Sequence, residues 1–383
     1  MTPPSPDGTA ADDAGRRSPL DAVHVAAGAS FTDFAGWQMP VRYSSDLAEH
    51  RAVREAAGLF DLSHMAEILV LGPDAAAALD HALAGRISAI EEGQAKYSLL
   101  LAEDGGIIDD VVVYRTGPDR FLVVANAGNR VAAAEALRER ASGFDCIVED
   151  ESDDIALVAL QGPRAEEILR GVEGFDIPEL DGLRYYRAVR GDFRGHEVLV
   201  ARTGYTGEDG FEFFLSPDAA PALWDALAET GAGAGLIPCG LAARDTLRLE
   251  AGMPLYGHEL TRETLPQQVG IGRVPVLDKP GGFVGRDAVA AGPAPEARVL
   301  VGLAAEGKRA GRAEYEVFAS ADAAEPAGVI TSGALSPTLG HPVAMALVDP
   351  ALREVGTTVF IDVRGTRIPA TVLTLPFYSR KKS

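Results

Sequence analysis

An α+β core followed by a small all-β domain is the fold class this sequence predicts, on three observations. Over the first three quarters of the chain, helical and strand-like periods mix without strict β-α-β alternation, which disfavours a doubly wound parallel sheet. After about residue 295 only short strands at turn-separated spacing remain, the pattern of a small barrel or sandwich. With 383 residues the chain can hold two or three cores at about 100 to 200 residues each. The expected division is a disordered tail over 1–16, rich in Pro, Asp, Ala and Gly, then a core over 17–290 and a β-domain over 297–380. The segment Ala291 to Glu296, with two Pro and a Gly, reads as the linker.

Apolar residues at helical spacing predict helices over Asp46 to Phe60, Asp74 to Leu83, Asn129 to Ala141, Pro163 to Val172, Pro217 to Glu229 and Gly240 to Ala251. Runs rich in Val, Ile and Phe predict core strands over Ala66 to Leu71, Ile107 to Arg115, Arg120 to Asn126, Asp154 to Leu160, His196 to Arg202 and Phe211 to Leu215. In the β-domain the strands are Val299 to Leu303, Tyr315 to Ser320, Gly328 to Thr331, Val343 to Val348, Thr358 to Val363 and Thr366 to Leu373. No internal repeat of fixed period is visible.

Composition removes several function classes. A content of 47% hydrophobic and 24% charged residues is that of a folded soluble protein, and no apolar run approaches the roughly 18 residues that span a bilayer. Thirty-five basic and 56 acidic residues leave a net charge of −21, a field that repels polyanions, so no nucleic acid and no membrane are expected as partners. Cys146 and Cys239 make neither a disulfide framework nor a metal-ligand spacing. Asp7, Asp12 and Asp13 oppose a transit peptide, and Asp21 and His24 interrupt what an export signal after Arg16-Arg17 needs, so a cytoplasmic location is expected.

Some signals carry little. Gly231, Gly233 and Gly235 follow a helix rather than a strand and read as a helix C-terminal loop, not a nucleotide loop. The acidic run Glu149 to Asp154 lacks the spacing of a calcium loop and reads as a solvated turn. His64, three residues after Asp61, reads as a hydrogen-bonded structural histidine rather than a metal ligand. No HExxH, GxSxG or Walker loop occurs.

Three stretches can carry chemistry. In Gly105 to Arg115 two carboxylates interrupt an apolar strand. Side chains alternate, so Asp109 and Asp110 face opposite ways and Asp110 shares its face with Ile108, Val112 and Tyr114. A carboxylate in an apolar pocket suits a base or a cation stabiliser, though both acids could equally cap a hairpin begun by the glycines. In Arg202 to Glu212 three glycines let the backbone approach a flat ligand, and Glu212 sits just inside the next strand, where a carboxylate can accept parallel hydrogen bonds; a hairpin with solvated acids is the alternative. In Gly240 to Glu250, Arg244 and Arg248 lie one turn apart on a helix face, either as a local anion site or as ion-paired surface with Asp245 and Glu250.

Taken in order, Asp33-Phe34-Ala35-Gly36-Trp37, Phe60-Asp61-Leu62-Ser63-His64-Met65, Tyr97-Ser98, the Gly105 to Arg115 strand, the Arg202 to Glu212 loop, Gly240 to Gly257, and Thr331-Ser332-Gly333 through Ser336-Pro337-Thr338-Leu339-Gly340 closely resemble the aminomethyltransferases, the T-proteins of the glycine cleavage system. The resemblance runs from about Arg17 to Tyr378. It implies a folate-binding core of two interleaved α+β subdomains with a C-terminal β-barrel. It implies Asp110 as the catalytic acid, and folate contacts at Met65, Tyr97, Asn126, Tyr205, Glu212 and Arg244, which Asp110 and Tyr114 join. The chain departs from the family pattern at Ala66, Gln268 and Arg273, which touches channel packing more than the folate site.

The implied reaction moves the methylene of an aminomethyl group, carried on the sulfur of a lipoyl carrier protein (H-protein), to tetrahydrofolate, with loss of ammonia. Tetrahydrofolate is a co-substrate, and no metal, flavin or nicotinamide is expected. Asp110 would stabilise the developing cations or take a proton, Glu212 would accept the pterin's two-donor edge, and Arg244 would meet the folate's negative end. A tetrahydrofolate-dependent demethylase of O-, N- or S-methyl groups and a non-enzymatic folate-binding assembly factor share the fold; the latter carries Lys beside a cysteine, which Cys146 and Cys239 lack. Docking an acidic carrier on so acidic a protein needs a local basic patch, for which Arg364, Arg367, Arg380, Lys381 and Lys382 are candidates.

Overall fold

The computed structural model describes residues 15–380, so the tail expected over 1–16 lies outside the described residues except for Gly15 and Arg16. Arg16–Arg17 is a short strand beside Trp37–Arg42, which pairs in turn with Ser30–Phe34. Two larger sheets form the core. The five-stranded one runs Ala95–Leu101, Ile107–Gly117, Arg120–Ala125, Ala66–Leu71, Ile147–Asp150 in spatial order. The seven-stranded one runs Phe175–Asp176, Ala188–Phe193, His196–Ala201, Gly210–Leu215, Ala156–Gln161, Ala57–Asp61, Leu236–Pro238. Its next-to-edge strand, Ala57–Asp61, comes from before the five-stranded sheet, which interleaves the two subdomains as the resemblance implies.

That strand corrects the helix expected over Asp46 to Phe60, which ends at Glu55. Ala57 to Asp61 are all buried, so the run is apolar on both faces and its periodicity does not separate helix from strand. Ala95–Leu101 and Ala188–Phe193 were not anticipated.

The sheets pack face to face with helices outside. Phe60, Leu157 and Phe214 of one meet Tyr114, Leu122 and Val124 of the other in a shared apolar layer. Helices Ala75–Ala82 and Arg130–Ala141 cover the outer face of the five-stranded sheet, while Ala165–Arg170 and Ala220–Gly231 cover the seven-stranded one. None of the described helices is long and apolar enough to cross a membrane.

Although the sequence shows no periodic repeat, the core repeats an order of elements: strand, helix, antiparallel meander, helix, strand, first over 66–150 with three strands in the meander and again over 156–238 with four, the extra one being the two-residue Phe175–Asp176. Each copy opens on the same turn. Gly72 and Gly162 hold φ of 134° and 139°, each before a proline, and a Cβ on either would lie 2.5 Å from a backbone oxygen. The repeat resides in backbone geometry at two Gly-Pro steps, with little side-chain identity to reveal it.

The C-terminal domain is a closed barrel in the order Val299–Ala305, Pro342–Val348, Gly328–Leu335, Glu316–Phe318, Thr358–Val363, Thr366–Leu373. It docks on helix Leu241–Glu250, where Leu249 packs with Ala334, Val343 and Met345. Glu250 at the helix end accepts from Ser336 Oγ, Thr338 N (3.1 Å) and Thr338 Oγ1 (2.8 Å), and pairs with Arg54 (2.9 Å) and His50 (3.1 Å). Burial alone would raise its pKa, but His50 and the two hydroxyls hold it down at about 2.

Candidate active site

A cavity of about 270 Å³ opens between the two sheets, and it gathers every residue singled out as a contact: Met65, Tyr97, Asp110, Tyr114, Asn126, Tyr205, Glu212 and Arg244. Strand Ile107–Gly117 supplies Asp110, Val112 and Tyr114 by alternation, and Gly210–Leu215 supplies Glu212 and Phe214 from the opposite sheet.

The two acids of the Asp-Asp pair belong to the strand and do not cap the turn, where Asp104 instead accepts from Gly106 N at 3.1 Å. They do face opposite ways, yet they share one partner. The Asn126 side-chain amide donates to Asp109 Oδ1 (2.7 Å) and to Asp110 Oδ1 (2.8 Å), while Tyr97 O–H donates to Asp110 Oδ2 (3.0 Å). Asp109 also accepts from Asn126 N (3.0 Å) and Asn129 Nδ2 (2.8 Å). Burial raises the pKa of both carboxyls; for Asp110 the bonds from Tyr97 and Asn126 oppose it, and for Asp109 the neighbouring charge of Asp110 adds to it, bringing Asp109 to about 7. Of the two carboxylates only Asp110 lines the cavity; Asp109 is turned away from it toward Asn129.

This arrangement changes what Asp109 is worth. An Asn there would set its NH₂ against the amide donors of Asn126 and Asn129. We expect Asp109→Asn to cost about 1–3 kcal/mol of stability, read as a shifted urea midpoint, and about tenfold in turnover through the loosened Asn126. Asp110→Asn should be the milder change for stability and the more severe for turnover.

At the other end, Glu212 Oε2 accepts from Thr203 Oγ1 and from Tyr114 O–H (3.3 Å), leaving Oε1 without a protein donor among the described residues. Burial raises the Glu212 pKa against the pull of Thr203, the Arg244 charge and Tyr114. The Arg244 guanidinium lies 4.6 Å over the Tyr205 ring, and burial lowers its pKa. Arg248, one turn on, serves elsewhere: it is 1% exposed and bound to Asp245, Glu259 and Ser332. The ion-paired reading of this helix holds for Arg248 only in part, since it pairs with Asp245 but in the interior and with Glu259 rather than Glu250. Met65 is a half-buried wall beside Phe34, His64 and Leu157.

Four polar or aromatic lining residues that the sequence did not single out stand beside these contacts. Thr203 stands in the glycine-rich stretch, where its bond to Glu212 needed the strand pairing to be seen. Phe34 lies in a quoted motif that gave it no role, and His64, read as a hydrogen-bonded structural histidine, has no partner for its buried Nδ1 among the described residues. Tyr186 had no sequence signal, although its φ of 61° is a strained setting for a bulky residue. Among the described residues no His, Cys, Asp and Glu cluster is arranged to hold a metal ion. Of the basic-patch candidates, Arg367 pairs with Asp362 (3.4 Å) and Arg380 with Asp209 (3.4 Å), while Lys381 and Lys382 lie outside the described residues.

Comparison with known proteins decides the family. A profile described as the GCVT N-terminal domain matches residues 20–279, and the glycine cleavage T-protein C-terminal barrel domain matches 298–379. The chain belongs to the glycine cleavage T-protein family. The aminomethyltransferase of Cutibacterium acnes is 55% identical over 370 residues, covering 95% of this chain and 99% of that one. That of Streptomyces avermitilis is 53% identical over 372 residues, 96% and 98% of the two chains. The crystal structure of the glycine cleavage system aminomethyltransferase T from Bartonella henselae superposes with a TM-score of 0.86 at 38% identity, over 95% of this chain and 98% of that one. As a T-protein the chain is an enzyme, a transferase, and the mixed core with its closed barrel is the T-protein fold.

Proposed function

We propose that this T-protein transfers the methylene carbon of an aminomethyl group from the sulfur of a lipoyl carrier protein to tetrahydrofolate, in the cavity between the two sheets. The products are 5,10-methylenetetrahydrofolate, ammonia and the dihydrolipoyl carrier. One observation carries the reading: Asp110 and Glu212, from opposite sheets, face a single cavity that also holds Arg244.

Transfer needs a negative charge beside the carbon that becomes iminium-like when the amine leaves, and beside the folate nitrogen that becomes cationic when it attacks. Asp110 supplies it, held by Tyr97 and Asn126 so that little reorganisation accompanies the step. Glu212, with Oε2 occupied by Thr203 and Tyr114, presents Oε1 to the pterin's N–H edge and fixes the ring's orientation, and positioning of this kind can contribute several kcal/mol. Arg244 and the aromatic wall of Tyr97, Tyr186 and Tyr205 complete the pocket. We infer a cytoplasmic location, which the two unpaired cysteines support.

The test is to mix the protein with tetrahydrofolate and aminomethylated lipoyl carrier and follow ammonia and methylenetetrahydrofolate. Stoichiometric formation of both is expected. Methyltetrahydrofolate formed from a methyl donor, with no ammonia from the carrier, would favour a demethylase instead.

A further inference from the structure

Strand Ala156–Gln161 ends in a buried side chain that stands behind the cavity rather than in it. Gln161 is not among the residues that line the cavity, yet it is bonded to the glycine-rich stretch Arg202 to Glu212 at two points. Its Nε2 donates to Thr203 O (3.0 Å), and its Oε1 accepts from Thr206 Oγ1 (2.9 Å). Chemistry fixes the orientation of the amide, since the Thr203 carbonyl can only accept and must face the NH₂. Thr203 and Thr206 are buried as well, so neither would find water if the amide left.

Two of the three glycines in that stretch are required by this amide. A Cβ on Gly204 would overlap Gln161 Oε1 and stand 2.6 and 2.7 Å from its Cδ and Nε2, and a Cβ on Gly210 would overlap Nε2. The φ of Gly204 lies outside the left-handed region, so close approach rather than a turn demands glycine there. The backbone is drawn onto Gln161 from behind while Thr203, Gly204 and Tyr205 line the cavity in front. Thr203 joins the two sides. Its carbonyl is held by Gln161, and its hydroxyl, 3.0 Å from the Tyr114 hydroxyl, donates to Glu212 Oε2.

We propose that Gln161 is a positioning residue for the ligand's N–H edge: through Thr203 it fixes the hydroxyl that binds one oxygen of Glu212, and so aims the other oxygen into the cavity. This rests on the reading of the cavity as the folate site. Gln161 pairs with Gly210 and Ala159 with Glu212 on the same two strands, so one ladder sets both the amide and the carboxylate. Without the amide, Thr203 O loses a buried donor, the peptide is free to turn, and Thr203 Oγ1 can leave Glu212. The carboxylate would then keep only the longer bond from Tyr114 O–H, at 3.3 Å.

Calorimetry and steady-state kinetics on the full-length protein make the test. Gln161→Leu keeps the bulk and loses both bonds, so it should weaken tetrahydrofolate by about three- to tenfold, the effect of one neutral hydrogen bond. KM for tetrahydrofolate should rise by the same factor while kcat at saturation stays within about twofold, because the bound pterin's own N–H groups realign Glu212. Gly204→Ala displaces the amide with Gln161 still present, and the same values are read on it where Gln161→Leu does not fold. Thr203→Val cuts the link to Glu212, so adding Gln161→Leu to it should cost less than about twofold more. Unchanged affinity in Gln161→Leu overturns the proposal, and so does a cost that persists in full beside Thr203→Val. A lowered kcat with KM unchanged overturns it too, since that marks a structural role. A wild type that does not bind tetrahydrofolate overturns the folate reading, and the role of Gln161 with it.

Discussion

Asp110→Asn is expected to lower turnover by on the order of 10² or more with little change in tetrahydrofolate affinity, because the lost charge acts on cations that develop during transfer. The substitution preserves shape. One oxygen can still accept from Asn126 or Tyr97, so the cavity keeps its geometry while the field at its centre changes. Single-turnover rates and calorimetric affinities on the same preparation separate the two effects. A variant within threefold of wild-type turnover would remove Asp110 from the chemistry, and a variant that loses binding as much as rate would make it a binding group.

Glu212→Gln should weaken tetrahydrofolate by about ten- to a hundredfold, the 1.5 to 3 kcal/mol typical of a hydrogen bond to a charged group. The structure sharpens why an amide fails. Glu212 Oε2 already serves Thr203 and Tyr114, so a glutamine must either turn its NH₂ toward those two donors or toward the ligand's own N–H groups. The second sets donor against donor; in the first the two hydroxyls can turn to accept, but the ligand then meets a neutral carbonyl in place of a carboxylate oxygen. Calorimetry decides: unchanged affinity would show that the ligand's N–H edge lies elsewhere in the cavity.

What was legible in the sequence follows from what each inference needed. Alternation along one strand suffices to put Asp109 and Asp110 on opposite faces. It cannot show that a single amide from a different strand end reaches both, since that requires Asn126 to come alongside through the pairing of Ile107–Gly117 with Arg120–Ala125. Arg244 and Arg248 look alike at helical spacing, but burial against the barrel turns one toward Glu259 and Ser332 while the other keeps the cavity. The spacing Asp61 to His64 suggests a bond that His24 and Ser18, far upstream, occupy instead. Ala57–Asp61 was read as helix because burial on both faces erases the period that marks a strand. Local pattern thus found the acids and the folds of chain that carry them. Partner choice across sheets was set by long-range packing that no short window contains.

The helix Leu241–Glu250 has a mechanical consequence. Arg244 stands at the cavity and Glu250 is clasped by the barrel, six residues and about 9 Å along the same rod. Among the described residues the barrel lends no side chain to the cavity, yet it anchors the strut from which one of the cavity's charges projects. The clasp is charged wherever the pH exceeds the ordinary glutamate range, and it loosens only as the pH falls toward about 2, so under working conditions the far end of the strut is fixed. An error of 1 Å at a reacting centre can cost about 10² in rate. The barrel therefore belongs to the alignment of the site as a bearing belongs to a shaft, and its removal would detune the enzyme without touching a single contact residue.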